Sequence, residues 1–136
     1  TLTCGPVLEA ISGSGGYGDS SHWCSRACEA LAGGGPFGAG AALPTNEEIA
    51  ISYVGWDGMA SLDDPVSGLR IVMRASESLR HAVLWTAPGA DFICIEPQSH
   101  GIGAPSEAAA RQATPLARLE PGMSLKGWMT LEPAEL

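Results

Sequence analysis

Apolar and polar residues alternate in short runs along the part of the chain that begins near Thr45. A period of two places successive side chains on opposite faces of a β-strand, so such runs predict strands with one buried face. The three clearest runs are Ile49–Tyr53, Leu69–Arg74 and Met123–Leu131. Arginines occupy alternate positions of the second run, which predicts a basic outer face for that strand.

Two further runs, Ala82–Trp85 and Phe92–Ile95, are continuously apolar, as is typical of strands buried on both faces. The segment between them, Ala87–Asp91, has the residue types of a turn, so we expect the two runs to pair. Only Ser106–Gln112 has a helical pattern, and it is short. Five strands at this spacing predict an all-β fold, an antiparallel β-sandwich.

The first third of the chain differs from the rest in its glycine content. Ten of the 18 glycines fall within residues 1–45. Glycine loses more backbone freedom on ordering than any other residue, so this density argues against regular structure there, apart from a short helical pattern at Ser25–Leu31. We therefore expect an irregular Gly-rich segment at residues 1–43 and a β-sandwich domain at residues 44–136.

Length and charge limit the classes of function. A chain of 136 residues fits one domain. Seven Lys and Arg residues against 15 Asp and Glu residues give a formal net charge of −8. Such a field repels phosphate backbones and anionic lipid head groups, so nucleic acid and membranes are not expected as partners. The chain also has no apolar run near the roughly 20 residues of a membrane span.

The four cysteines do not form a recognisable disulfide framework. A reduced, cytoplasmic location is therefore the expectation. Cys24 and Cys28 follow His22, so up to three soft metal ligands lie within seven residues. Zinc sites are usually built from two ligand pairs, and no matching second pair follows, so no metal site is predicted.

The candidate chemistry lies at the end of the second continuous apolar run. Glu96 follows Phe92–Ile95 directly, and Pro97 fixes an extended exit from the strand. Side chains at strand ends that open onto loops commonly meet substrates, so Glu96 is a candidate general base. His100, four residues on, is a candidate acid. The alternative is that both are ordinary surface residues, which is the commoner role of either type.

Two tryptophans and an aspartate are candidate sugar contacts. The face of Trp56 or Trp85 suits the C–H face of a sugar, although a tryptophan in a sandwich core is the commoner case. Asp57 is either a hydrogen-bond partner for sugar hydroxyls or part of a turn.

Three segments, taken in order, carry a resemblance to one known family. Tyr53–Gly58 is similar to the segment Phe-x-Gly-Trp-Asp-Gly of that family. Asp91–His100, which contains Cys-Ile-Glu-Pro, is the most specific likeness. Leu119–Leu125 resembles the turn before the last strand, with Met123 where the family has Glu. The family is the aldose 1-epimerases (galactose mutarotases), and the likeness covers about residues 44–134.

The resemblance implies a β-supersandwich fold, an aldose as substrate and a reaction without a cofactor. In the family, a glutamate at the position of Glu96 takes the proton from the anomeric hydroxyl of a sugar. A histidine protonates the ring oxygen, the ring opens, the C1–C2 bond rotates, and reclosure gives the other anomer.

The chain departs from the family at several points. The catalytic histidine of the family lies in a His-Pro-Tyr-Phe-like segment, which nothing in residues 1–43 matches. Ala50 stands where the family has an Asp that binds sugar hydroxyls. Family members are also longer, so we expect uncovered strand edges and apolar patches, which predict self-association.

Two functions of different classes stay open. One is an isomerase that interconverts the α and β anomers of a hexose. The other is a non-catalytic carbohydrate-binding protein, or an inactive fragment of a mutarotase.

Overall fold

The computed structural model describes residues 2–4, 9–12, 29–30, 42–43, 46–101 and 115–136, the first three ranges as backbone. These residues form nine strands and no helix. In chain order the strands are β1 (Leu2–Cys4), β2 (Glu9–Ser12), β3 (Glu29–Ala30), β4 (Ile49–Val54), β5 (Met59–Asp64), β6 (Leu69–Ala75), β7 (His81–Thr86), β8 (Cys94–Gln98) and β9 (Met129–Glu135).

The strands form two antiparallel sheets. The four-stranded sheet has the order β1-β5-β6-β9, and the five-stranded sheet has the order β3-β2-β4-β7-β8. β7 and β8 are neighbours, with Trp85 opposite Cys94, so the predicted pairing of the two apolar runs is confirmed. The bounds predicted for the second run are wrong, because β8 begins at Cys94 and continues to Gln98, so Glu96 is its middle residue and does not follow the strand. The all-β, antiparallel sandwich predicted from the sequence is likewise confirmed.

The core lies between the two sheets. From the five-stranded sheet, alternate residues of β4 and β7 point inward, and their side chains are almost fully buried. From the four-stranded sheet, Ala60 and Met73 lie opposite each other and are also buried. The buried cluster comprises Ile49, Ile51, Tyr53, Trp56, Ala60, Met73, Ala82 and Leu84.

A glycine-containing turn links the two sheets between β4 and β5. Gly58 has a φ of 88°, and a Cβ atom there would lie 2.6 Å from the carbonyl oxygen of Ala75. That contact is too short for a real Cβ atom, so glycine is the residue that fits. The Gly58 carbonyl also accepts a hydrogen bond from the Ala75 N–H at 2.8 Å, which fastens the turn to the end of β6.

The structure differs from the sequence expectations in several elements. Three short strands, β1 to β3, fall within residues 1–43, where no strand was expected, whereas every glycine of that segment lies outside the described residues. Glu29 and Ala30 are extended rather than helical, and the remainder of that helical pattern, like Ser106–Gln112, lies outside the described residues. β2 and β4 pair with each other, although they lie on opposite sides of the expected domain boundary at residue 43. The position of that boundary stays a prediction.

One edge of the sandwich exposes apolar side chains. β9 is an edge strand of its sheet among the described residues, and Met129 and Leu131 are 53% and 56% exposed. Leu131 lies opposite the buried Met73, so its side chain belongs to the face that points toward the core. A cleft of about 410 Å³ opens between the two sheets at this edge, with Ile93 and Ile95 on its other side.

Candidate functional site

Glu96 lies on the outer face of the five-stranded sheet. It is opposite Val83 of β7, which is in turn opposite Ser52 of β4. The intervening neighbours Leu84 and Ile95 point into the core, so these three residues point to the other side. The same face carries Cys94 and Gln98 on β8, on either side of Glu96.

The outer face is open to solvent chiefly along β8. Ala50, Ser52 and Val83 are only 6%, 7% and 0% exposed. Glu96 and its neighbours along β8 are half-buried instead. A small molecule that reaches this face therefore meets the strip formed by β8 and the flanking ends of β7.

Two histidines lie at one end of this strip. His81 begins β7 opposite Gln98, so it shares the outer face with Glu96 and is its diagonal neighbour across the strand pair. His100 follows β8, is half-buried, and its Nδ1 lies 3.0 Å from the Ser99 hydroxyl oxygen. A carboxylate in the middle of β8 and two imidazoles near the end of that strand are the groups that acid–base chemistry needs.

The environment of His81 favours its neutral form. Burial lowers the pKa of the His81 imidazole below its ordinary value, and the positive charge of nearby His100 lowers it further. Within the part of the chain that the structure describes, His81 Nδ1 is buried without a hydrogen-bond partner. This environment makes His81 a poor proton donor.

An aromatic pair flanks the other end of the strip. The half-buried Trp85 lies opposite Cys94, and its ring centroid is 6.0 Å from that of Phe92 at an interplanar angle of 45°. The Trp85 indole N–H donates to Oε1 of Glu48 at 3.1 Å. Sequence reasoning found Trp85 but missed Glu48 and Phe92. The alternation Glu48–Ala50–Ser52 is the signal that places Glu48 on the outer face.

The other two sugar-contact candidates do not join this site. Trp56 is fully buried in the core, and its indole N–H donates to the Met59 carbonyl at 2.8 Å. A ring without exposed surface cannot stack on a sugar, so the core alternative is the correct one for Trp56. Asp57 is exposed and accepts a hydrogen bond from the Met59 N–H at 2.9 Å, as a turn residue does.

The cleft between the sheets has a different chemistry. Its walls are apolar side chains such as Leu62, Ile71 and Met129. Cys94 and Glu96 also border it, because β8 is the edge strand of the described five-stranded sheet and the cleft opens at that edge. A sugar needs several hydrogen-bond partners, so the outer face is the better candidate for a sugar site.

The described residues contain no cluster of three or more His, Cys, Asp or Glu side chains placed to hold a metal ion. The sequence pattern of His22, Cys24 and Cys28 lies outside them. In that same part of the chain, no helix has the length and apolar character to cross a membrane.

Comparison with known proteins gives two similarities. No protein-family model matches the chain. The uncharacterized protein YphB of Escherichia coli K12 is 28% identical over 126 residues, which cover 82% of this chain and 42% of YphB. A crystal structure from Escherichia coli K12, of a protein provisionally described as an aldose 1-epimerase, matches with a TM-score of 0.74 and 22% identity.

The structural similarity extends over nearly the whole chain. It covers 99% of this chain and 45% of the other, so the strands of residues 1–43 belong to the shared fold as well. The chain therefore has the fold of a mutarotase-like β-sandwich. It spans less than half the length of either protein that it matches.

Proposed function

We propose that the chain acts on the anomeric centre of an aldose and interconverts its α and β forms. Glu96 is the general base, and it takes the proton from the anomeric hydroxyl. As that proton leaves, the bond from C1 to the ring oxygen breaks, and a proton is delivered to the ring oxygen. Rotation about C1–C2 followed by the reverse transfers gives the other anomer, so no cofactor is consumed.

One observation carries the proposal. Glu96 is a half-buried carboxylate on a sheet face that is otherwise closed to water at Val83 and Ser52. Partial removal from water strengthens the interaction of a carboxylate with a sugar hydroxyl, because few water molecules compete for its oxygens. The shared fold with the Escherichia coli protein described above gives independent support at the level of fold.

His100 is the proposed proton donor to the ring oxygen. It lies four residues after Glu96 and follows the same strand, and the Ser99 hydroxyl fixes the orientation of its ring. With one imidazole nitrogen held in this way, the other nitrogen is left to exchange a proton with substrate. An acid in this position contributes a factor of typically 10² to 10⁴ in rate.

Binding of the sugar relies on fewer acidic contacts than in the aldose 1-epimerase family. Ala50 lies on the outer face opposite Trp85 and has no polar side-chain atom to offer. We therefore expect weak binding of a single hexose together with measurable turnover.

The proposal is tested by the optical rotation of freshly dissolved α-D-glucose and α-D-galactose in the presence of the purified chain. Acceleration above buffer that disappears in Glu96→Gln supports the proposal. Glu120→Gln, at an exposed turn far along the chain, is the matched control for loss of one negative charge. A rate equal to that of buffer contradicts catalysis, and sugar binding without turnover then identifies a carbohydrate-binding protein.

A further inference from the structure

The outer face continues past Glu96 towards the start of β8, where aromatic surface and a second carboxylate stand together. Phe92 is 53% exposed, and its ring packs against that of Trp85. Glu48, also exposed, uses Oε1 to accept the indole N–H of Trp85. Each of these residues has a partner that orients it, so the group has a defined geometry.

Phe92, the member of this group farthest from Glu96, lies beyond the reach of one sugar ring. Trp85 lies one strand across and two residues along from Glu96, which separates their Cα atoms by about 8 Å. Phe92 lies four residues before Glu96, up to about 14 Å of extended chain. The Thr86 hydroxyl donates to its carbonyl at 2.6 Å, which holds Phe92 beside the far end of β7. A pyranose whose anomeric hydroxyl meets Glu96 therefore leaves Phe92 to the next ring along β8.

We propose that Phe92, Trp85 and Glu48 form a second sugar position, and that the preferred substrate is a reducing disaccharide rather than a free hexose. The C–H face of the second ring stacks on the aromatic pair, because the electron-rich face of an aromatic ring attracts polarised C–H groups. Oε2 of Glu48 accepts a hydroxyl of the same ring. The inference rests on the proposed function, since it places the reducing ring at Glu96.

The first experiment compares lactose with glucose as substrates for mutarotation. We expect kcat/KM for lactose to exceed that for glucose by about tenfold, the effect of one good aromatic contact. Phe92→Ala should remove this advantage and leave the glucose rate unchanged. Trp128→Ala is the matched control, because Trp128 is 57% exposed and lies opposite the end of β6, in the other sheet.

A binding measurement separates this inference from the proposed function. Methyl β-lactoside cannot open its ring, so its binding, followed by calorimetry, does not depend on catalysis. We expect the wild-type chain to bind it about tenfold more tightly than Phe92→Ala does. This result without turnover of any sugar overturns the proposed function but keeps the second sugar position.

Two results overturn the inference while the proposed function stands. One is Glu96-dependent mutarotation of glucose with no preference for lactose. The other is an equal loss of the glucose and lactose rates in Phe92→Ala, which means that the aromatic pair holds the reacting ring itself.

Discussion

Glu96 and Val83 are directly opposite each other on β8 and β7, and the carboxylate is half-buried while the valine side chain is not exposed at all. Val83 is thus a buried apolar neighbour of the proposed base. The pairing makes the position of Glu96 depend on the packing of β7, which lies between β4 and β8 in the sheet.

Val83→Ala tests this dependence. Loss of two buried carbon atoms and the cavity that remains should lower the free energy of unfolding by about 2 kcal/mol. Urea denaturation followed by tryptophan fluorescence measures the change. If the free energy of unfolding falls by less than a few tenths of a kcal/mol, as expected for the exposed control Val66→Ala, the Val83 side chain is not closely packed.

The stability of the chain should depend on pH through His81. Because the pKa of His81 is lowered in the folded state, the unfolded chain binds more protons at mildly acidic pH. The stability linked to this group is therefore complete above the ordinary pKa of 6.5 and is lost as the pH falls through the lowered folded-state value.

Urea midpoints at pH 5.5 and 7.5 measure this loss. We expect the difference between the two midpoints to shrink in His81→Gln and to persist in His100→Gln. An equal difference between the two urea midpoints in the wild-type and His81→Gln chains would contradict this explanation. Asp63 and Asp64 do not interfere, because their pKa values are lowered from 3.8, below the range tested.

The role of His100 as proton donor predicts a large kinetic effect with little change in substrate affinity. His100→Gln should lower kcat for mutarotation by about 10²- to 10⁴-fold and leave KM nearly unchanged. Ser99→Ala, which removes the orienting hydroxyl, should lower kcat by a smaller factor. If His100→Gln keeps its activity and His81→Gln loses it, the acid is His81 instead.

The exposed edge at β9 predicts self-association. Met129 and Leu131 expose more than half of their surface next to an open cleft, and burial of this apolar surface favours association. Sedimentation velocity should show an average mass that rises with protein concentration. The double substitution of Met129 and Leu131 by serine should abolish the rise, whereas Val66→Ser, at a fully exposed turn, should not. A monomer at every concentration tested contradicts the prediction.

The sequence predicted the strands whose alternation is apolar on one face. β4 and β6 were found in this way at nearly their observed bounds, because residues such as Ile49, Ile51 and Met73 face a core. β7 was found at nearly its observed bounds from its continuous apolar run instead. β5 was missed, because Asp63 and Asp64 are turn-forming residues by type. In the structure Asp63 lies opposite Arg70 of β6, and the two side chains form an ion pair at 2.6 Å.

The last strand shows where local pattern fails. Met123–Leu131 was predicted as one strand, yet β9 begins only at Met129. Met129 is opposite Ala75, where β6 ends, and beyond it Ser76 binds Trp128 by hydrogen bonds to its carbonyl and N–H groups. The length of β9 is thus set by its partner strand, which no local pattern reveals.

The local pattern predicted only some residues of the site, because others come together only through the pairing of strands. Glu96 and Trp85 were found because each adjoins or lies in an apolar run. Glu48 and Phe92 were missed because they meet Trp85 only when β4, β7 and β8 align in register.

The central claim is that the Glu96 carboxylate moves the proton of an anomeric hydroxyl. Magnetisation exchange between the two anomeric ¹H signals of glucose at equilibrium measures this step without any coupled reagent. The account predicts exchange that grows in proportion to the concentration of the wild-type chain and falls to the buffer rate in Glu96→Gln. Exchange that persists in folded Glu96→Gln, or never exceeds buffer in the wild type, would contradict it.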